Sequence, residues 1–271
     1  MNKKEIFRRM CLIRYFELQV VEAYKMELIP ATVYLAVGQE AVSATISTLT
    51  EGFSIFPQHR NHSVYLAHGG DPVQLIDELL GRKTGCCQGK GGSPGIQDLN
   101  VPIYGHHGLI GENIPLATGY ALATARSTIA YFGDAASEED YALTSYGFAA
   151  THRLPILYVC EDNDLSILTP VRVRRSWNVY DVTKAMGLES AVIEDEPREI
   201  FDTIKRMLNK LPAFINVRTT RHLWHNSIGM DSSPRRDRLA EMRKIIPTAV
   251  EIEDQMRNLT KNLWQKQLQK Q

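Results

Sequence analysis

The sequence predicts an α/β fold, a doubly wound and mostly parallel sheet flanked by helices, and three observations predict it. The runs TIAYFGD (128–134), PILYVCEDN (155–163) and AFINVRT (213–219) are almost wholly apolar and rich in β-branched and aromatic residues. Strands buried on both faces read this way, whereas a half-solvated strand alternates. Helical stretches separate them, SEEDYALTSYGFAATH (137–152) and EPREIFDTIKRMLNK (196–210), so strand, helix and strand alternate along the chain. The first two runs also stop at polar clusters, and ligands of doubly wound sheets bind beyond the carboxyl ends of strands.

The other elements follow in order. Residues from about 1 to 28 form an amphipathic helix, because Arg14, Glu17 and Glu22 interrupt every apolar run that a signal peptide would need. VGQEAVSATISTLTEG (37–52) repeats apolar residues at helical spacing and ends in Gly52. FSIFPQHRNH (53–62) is a short strand running into a basic, imidazole-rich loop. DPVQLIDELLG (71–81) is a helix with Asp71 as its cap and Pro72 at its first position. Residues 81–112 contain nine glycines and no sustained period, which predicts a long loop of the kind that carries function. NIPLATGYALATAR (113–126) predicts a helix whose small side chains allow close packing, against its own sheet or across a subunit boundary. The tail from Leu239 to Gln271 is polar and helix-favouring, with Pro247 near its start. No internal repeat or low-complexity linker divides the chain, so 1–271 is read as one domain.

Composition narrows the function. The 31 basic and 31 acidic residues balance, so no overall positive field draws nucleic acid or an anionic membrane. No stretch of 18 uncharged apolar residues exists to span a bilayer. The four cysteines, two of them adjacent at Cys86 and Cys87, form neither a disulfide framework nor a zinc-ligand spacing, which fits a reducing cytoplasm.

Asp134 and Asn163 stand at the ends of two strands separated by one helix. Two oxygen-bearing side chains so placed make a hard-cation site of the kind Mg²⁺ takes, completed by phosphate oxygens and water. Ala135 and Ala136 follow in a short loop opening a helix at Ser137, where backbone N–H groups face an anion. The alternative is that Asp134 caps that helix and Asn163 lies in an ordinary turn.

The Gly133–Asp134 pair, the helix and the strand ending in EDN together resemble the thiamine-diphosphate motif. In order, IRYFE, VGQEAV, HRNH, ELLGRKTGCCQGKGGS, GLIGENIPLATGYALA, LPILYVCEDN and VRTTRHLWH make the chain similar to the alpha subunits of thiamine-dependent 2-oxo acid dehydrogenases acting on pyruvate, branched-chain substrates or acetoin. The resemblance implies a thiamine-diphosphate-binding fold, the diphosphate-binding half. It implies Asp134 and Asn163 as Mg²⁺ ligands through their side chains and Leu165 through its carbonyl. It also implies Arg60, Gly133, Ala135 and Ala136 at the diphosphate, and backbone groups of Gly108 and Ile110 at the aminopyrimidine. His62 and His225 match histidines of the active-site mouth, with His225 next to the cofactor as the candidate proton-transferring residue. His106 and His107 merely neighbour the Gly108 loop. The cofactor supplies the electron sink for decarboxylation. A glutamate of a separate beta subunit activates it, so the resemblance implies an α2β2 heterotetramer, and a lipoyl acyltransferase as acceptor.

Three departures stand out. Ala135 replaces the family's glycine, GGSPG replaces its GGSMH, and WHNSIGMDSSPRRDR replaces its regulatory serine loop, which also guides the lipoyl domain. The basic residues Arg172, Arg174, Arg175, Arg235, Arg236 and Arg238 read as solvated surface or as the receiver of an anionic substrate or partner. Two further readings therefore accompany the dehydrogenase one: a divergent thiamine-dependent synthase or transketolase-like acyltransferase in secondary metabolism or sugar modification, and a non-catalytic paralogue.

Overall fold

The structure, a computed structural model, describes residues 1–105, 108–230 and 236–270. His106, His107 and Arg235 lie outside the described residues.

Helix α1 (Lys3–Lys25) starts where the Asn2 side chain accepts from the Glu5 N–H at 3.2 Å. Its apolar face, Ile6, Met10, Ile13, Phe16 and Val20, is fully buried. After it come α2 (Glu40–Ile46), β1 (Ser54–Phe56), α3 (His62–Ala67) and α4 (Pro72–Leu79). The Asp71 cap and Pro72 start stand as the sequence predicts, the Asp71 side chain accepting from Val73 N at 2.8 Å. A long loop then leads to α5 (Asn113–Thr124), β2 (Thr128–Gly133) and α6 (Asp140–His152). Strand β3 (Ile156–Asp162) is followed by a small antiparallel pair, β4 (Leu165–Ser166) and β5 (Thr169–Pro170), and a single helical turn α7 (Val171–Arg174). The remainder is α8 (Val179–Ala185), β6 (Glu189–Glu194), α9 (Pro197–Met207), β7 (Ala213–Arg218), α10 (Arg238–Ile245) and α11 (Ala249–Leu268).

Five strands form one parallel sheet in the order β1-β2-β3-β7-β6. Alternation along each strand divides the core in two. Ile129, Tyr131, Leu157, Val159, Ile215 and Val217 pack on the side of α1, α2, α9 and α11. Ala130, Phe132, Ile156, Tyr158, Cys160 and Phe214 pack on the side of α5 and α6. Apolar runs without alternation in polarity are thus what a sheet covered on both faces requires. Arg14 ties three helices on the first side: its Nη2 reaches Glu40 Oε2 at 3.1 Å and Asp237 Oδ1 at 3.1 Å.

Three local expectations are corrected. The segment after Asp134 does not open a helix at Ser137; a single 3₁₀ turn (Ala136–Glu138) intervenes before α6 begins at Asp140, because Glu139 is extended (ψ 147°). The stretch 37–52 gives only seven helical residues. Strand β6 adds an edge strand beyond the three runs legible in the sequence. The polar tail divides at Pro247 into α10 and α11, and the second packs along α1, where Phe16 and Trp264 meet with ring centroids 5.8 Å apart.

Candidate active site

A cleft of about 150 Å³ opens at the carboxyl ends of β1, β2 and β3. Its wall draws Gln58 and Arg60 from the segment after β1, Gly133 to Ala136 from the end of β2, and Asn163 and Leu165 from the end of β3. Ile110 and Gly111 enter from the glycine-rich loop, and His225 from the segment after β7. Widely separated sequence segments meet because parallel strands deliver all their carboxyl ends to one edge.

Asp134 is 1% exposed. Burial, together with Asp162, pushes its carboxyl group above the usual carboxylate range, while a hydrogen bond donated by Arg174 Nη2 to Oδ2 opposes the rise. Its carbonyl accepts from Ser137 Oγ at 2.6 Å and from Arg175 Nη1 at 3.1 Å. Asp134 therefore caps no helix. Asn163 does occupy a turn, its Oδ1 accepting from Leu165 N at 3.1 Å, and its Nδ2 donates to Gln39 Oε1 at 2.8 Å. These two bonds fix which end of the amide is oxygen. The turn and the cleft are compatible, since the same residue lines both.

Ala135 has φ −68° and ψ −42°, a conformation open to any L residue. The methyl group that departs from the family pattern is accommodated without left-handed backbone. Glycine is required instead at Gly111, where φ is +79° and a Cβ would come within 3.1 Å of both the Ala136 carbonyl oxygen and the Tyr141 ring. Here the glycine-rich loop touches the Asp134 loop, and Tyr141 Oη donates to the Ile110 carbonyl across the contact.

Arg60 is 2% exposed, and its Nη1 donates to the Leu35 carbonyl at 2.9 Å. Its Nη2 donates to the His225 carbonyl at 2.8 Å and lies 3.2 Å from His225 Nδ1. A guanidinium only donates, so Nδ1 is the acceptor in this contact, which leaves Nε2 as the ring nitrogen able to carry a proton. His225 also packs against Tyr34 and His59, with ring centroids 5.6 and 5.2 Å apart. Tyr34, Gln58 and His59 carry no motif signal of their own; only their position beside HRNH in sequence or space marks them.

Two anticipated residues stand elsewhere. His62 is fully enclosed and is not among the cleft-lining residues: its Nδ1 is 3.3 Å from Glu17 Oε1 and its Nε2 is 3.0 Å from Ser93 Oγ. As the first residue of α3 it is buried among these partners rather than in the cleft lining. Gly108 is exposed at φ +105° and likewise lies outside the lining, whereas Ile110 is within it.

The basic residues are not loose surface. Arg174 and Arg175 are bound to Asp134 and Glu138, and Arg236 and Arg238 both reach Asp195, at 2.8 and 2.7 Å. Arg172 is the plainly exposed member of the described cluster.

The donor chemistry of the cleft fits a diphosphate cofactor held with a hard cation. A carboxylate, an oriented amide oxygen and the carbonyl-bearing Leu165 line one wall, and hard cations prefer oxygen ligands.

The chain is similar to known proteins in sequence and in fold. Residues 8–267 match the family described as "Dehydrogenase E1 component". The pyruvate dehydrogenase E1 component subunit alpha of Rickettsia bellii is 29% identical over 262 residues, covering 89% of this chain and 80% of that protein. Subunit alpha-1 of Oryza sativa subsp. japonica is 37% identical over 163 residues, covering 58% of this chain and 42% of that protein. Among solved structures, transketolase from Campylobacter jejuni superposes with a TM-score of 0.66 at 16% identity, which speaks to fold alone. The superposition covers 98% of this chain and 49% of that one, so the chain spans about half the transketolase length. None of the described helices is long and apolar enough to cross a membrane. With its motifs, its sheet and its cleft all in agreement, the chain belongs to the dehydrogenase E1 component family, as an alpha-type subunit of a thiamine-diphosphate-dependent 2-oxo acid dehydrogenase.

Proposed function

We propose that Asp134, Asn163 and the Leu165 carbonyl hold Mg²⁺, which anchors the diphosphate of thiamine diphosphate in the cleft beside Ala135, Ala136 and Arg60. The meeting of these residues at the ends of β2 and β3 is the observation that carries the reading. Thiamine diphosphate, when bound, supplies the electron sink for decarboxylating a 2-oxo acid. The chain's own residues orient and enclose it. Arg60 fixes His225 through two contacts and leaves Nε2 as the ring nitrogen able to carry a proton and donate it to a substrate oxygen. Ile110 walls the ring end of the cleft, and Gly111 lets its loop close on Ala136.

The substrate is a small 2-oxo acid, pyruvate in the named relatives. A separate beta subunit completes the site and supplies the activating carboxylate in an α2β2 assembly, with lipoamide as the acyl acceptor. The outer face of α5 supports a partner: Ile114, Ala117 and Ala121 are buried against the sheet, while Leu116 and Leu122 are exposed and Leu122 lines a groove with Phe148 of α6. An apolar groove between these helices is what a subunit contact would cover.

Calorimetry on the α–β complex tests the site: Mg²⁺ and thiamine diphosphate bind the wild type, and Asp134→Asn loses at least a hundredfold in affinity. Unchanged binding by that variant would sink the metal assignment. Turnover of 2-oxo acids with a lipoyl domain, compared with release of a carboligated product, separates dehydrogenase from synthase, and absence of both with no cofactor bound identifies a non-catalytic subunit.

A further inference from the structure

The carboxylate assigned to the cation is already held by a cation of the chain's own. Arg174 Nη2 is bonded to Asp134 Oδ2, with the two side chains 13% and 1% exposed. The same guanidinium lies near Glu138, Nε to Oε1 at 3.3 Å, and the neighbouring Arg175 bonds the other Glu138 oxygen and the Asp134 carbonyl. Arg174 Nη1 is buried with no hydrogen-bond partner among the described residues, so the guanidinium is incompletely satisfied where it sits.

The segment that carries these arginines is thinly attached elsewhere. Helix α7 buries none of its four residues. Ile167, Leu168 and Val173 are each more than half exposed. Asp164 and Ile167 take positive φ, 67° and 54°, at either end of the β4 strand. The Val171 N–H bonds Asp164, and Arg221 Nη2 donates to the Ile167 carbonyl at 2.9 Å. The arginine contacts to the Asp134 and Glu138 carboxylates are the charged anchorage of a stretch with almost no core of its own.

We propose that Arg174 is the resident counter-ion of Asp134, that a divalent cation and this guanidinium occupy the carboxylate in alternation, and that loading the site loosens residues 167–176, beyond the Leu165 ligand, from the mouth of the cleft. The proposal rests on the assignment of Asp134 to the metal. The physical basis is exclusion at one atom: Oδ2 cannot accept a guanidinium hydrogen bond and complete a Mg²⁺ octahedron in the same direction. An arginine stays charged across the accessible pH range, so the buried carboxylate keeps a partner whenever the metal is absent. Burial without a partner would be far more costly.

Mn²⁺ binding to the full chain, followed by electron paramagnetic resonance, together with limited proteolysis, tests this. Arg174→Gln is expected to tighten Mn²⁺ binding about tenfold and to make the 167–176 segment cleavable without ligand. In the wild type, cleavage there should appear only as Mn²⁺ is added. Arg174→Lys should fall between the two, and Arg172→Gln, at an exposed site on the same turn, should match the wild type. Asp134→Asn separates the failures. If it leaves Mn²⁺ binding intact, the metal assignment falls; if it abolishes binding while Arg174→Gln leaves affinity unchanged or weakened, the counter-ion proposal falls and the metal site stands. Circular dichroism confirms that each variant is folded.

Discussion

Gln58 and Glu161 are joined by a hydrogen bond from the Gln58 amide to a carboxylate oxygen, linking the segment after β1 to the end of β3 under the cleft. Glu161 is 1% exposed, and its second oxygen is buried without a hydrogen-bond partner among the described residues. Burial pushes its carboxyl group up to about 7, against the pull of Gln58 and Arg60. Between the ordinary glutamate value and this one the folded state binds more protons than the unfolded state, so stability falls as pH rises from about 5 to about 7. Glu161→Gln should flatten that slope in the metal-free chain and raise stability at pH 8 by roughly 2–3 kcal/mol. Thermal unfolding at several pH values measures it.

Asn113 begins α5 and stitches two strands to it. Its Nδ2 donates to the Phe56 carbonyl at 3.0 Å and to the Tyr131 carbonyl at 2.7 Å, and the residue is 1% exposed. Asn113→Ala leaves both carbonyls without their donor and opens a small void. Urea unfolding should show a loss of about 2–4 kcal/mol.

Glu78 organises the glycine-rich loop from inside. Its two oxygens accept from the N–H groups of Cys87, Gly89, Gly91 and Gly92 at 2.7 to 3.0 Å. Gly85 lies so close that a Cβ there would stand 2.5 Å from Glu78 Cα. Glu78→Gln turns an NH₂ group toward donors that need an acceptor. Amide exchange at those four positions should quicken by at least tenfold, with the helices of the first core unchanged.

Ala135 has helical backbone angles, so a glycine there gains no conformational advantage in the folded chain. Ala135→Gly should lower stability by about 0.5–1 kcal/mol through the freer unfolded state, leaving Mn²⁺ affinity within twofold of the wild type. Unfolding and Mn²⁺ titration of the one variant check both halves.

What could be read from the sequence was what periodicity and polarity encode. The buried runs 128–134, 155–163 and 213–219 announce β2, β3 and β7 because both faces of those strands are covered. Strand β6 was hidden: ESAVIE has charged ends and an exposed Val192, as an edge position permits. The meeting of Asp134 and Asn163 at one cleft was legible because motif and strand end coincide. His62 stands outside the cleft lining, and a histidine closing HRNH gives no sign in sequence of which way its ring turns. The fate of Arg174 and Arg175 depended on Glu138 and Asp134 arriving beneath them, and charge content alone does not separate a buried ion pair from a solvated one. Glu78 was silent for the same reason, since its partners are backbone groups of a loop without periodicity.

Because the cleft takes its walls from stretches as distant as Gln58, Gly111, Asp134, Leu165 and His225, no fragment of the nascent polypeptide owns it. Coenzyme capture at the proposed site would thus report on finished assembly: a chain in which β7 has not docked can present a coherent sheet edge yet lacks the far lip on which the ring of His225 rides. A ligand that needs every one of these walls would bind the completed topology and stabilise it over unfinished ones.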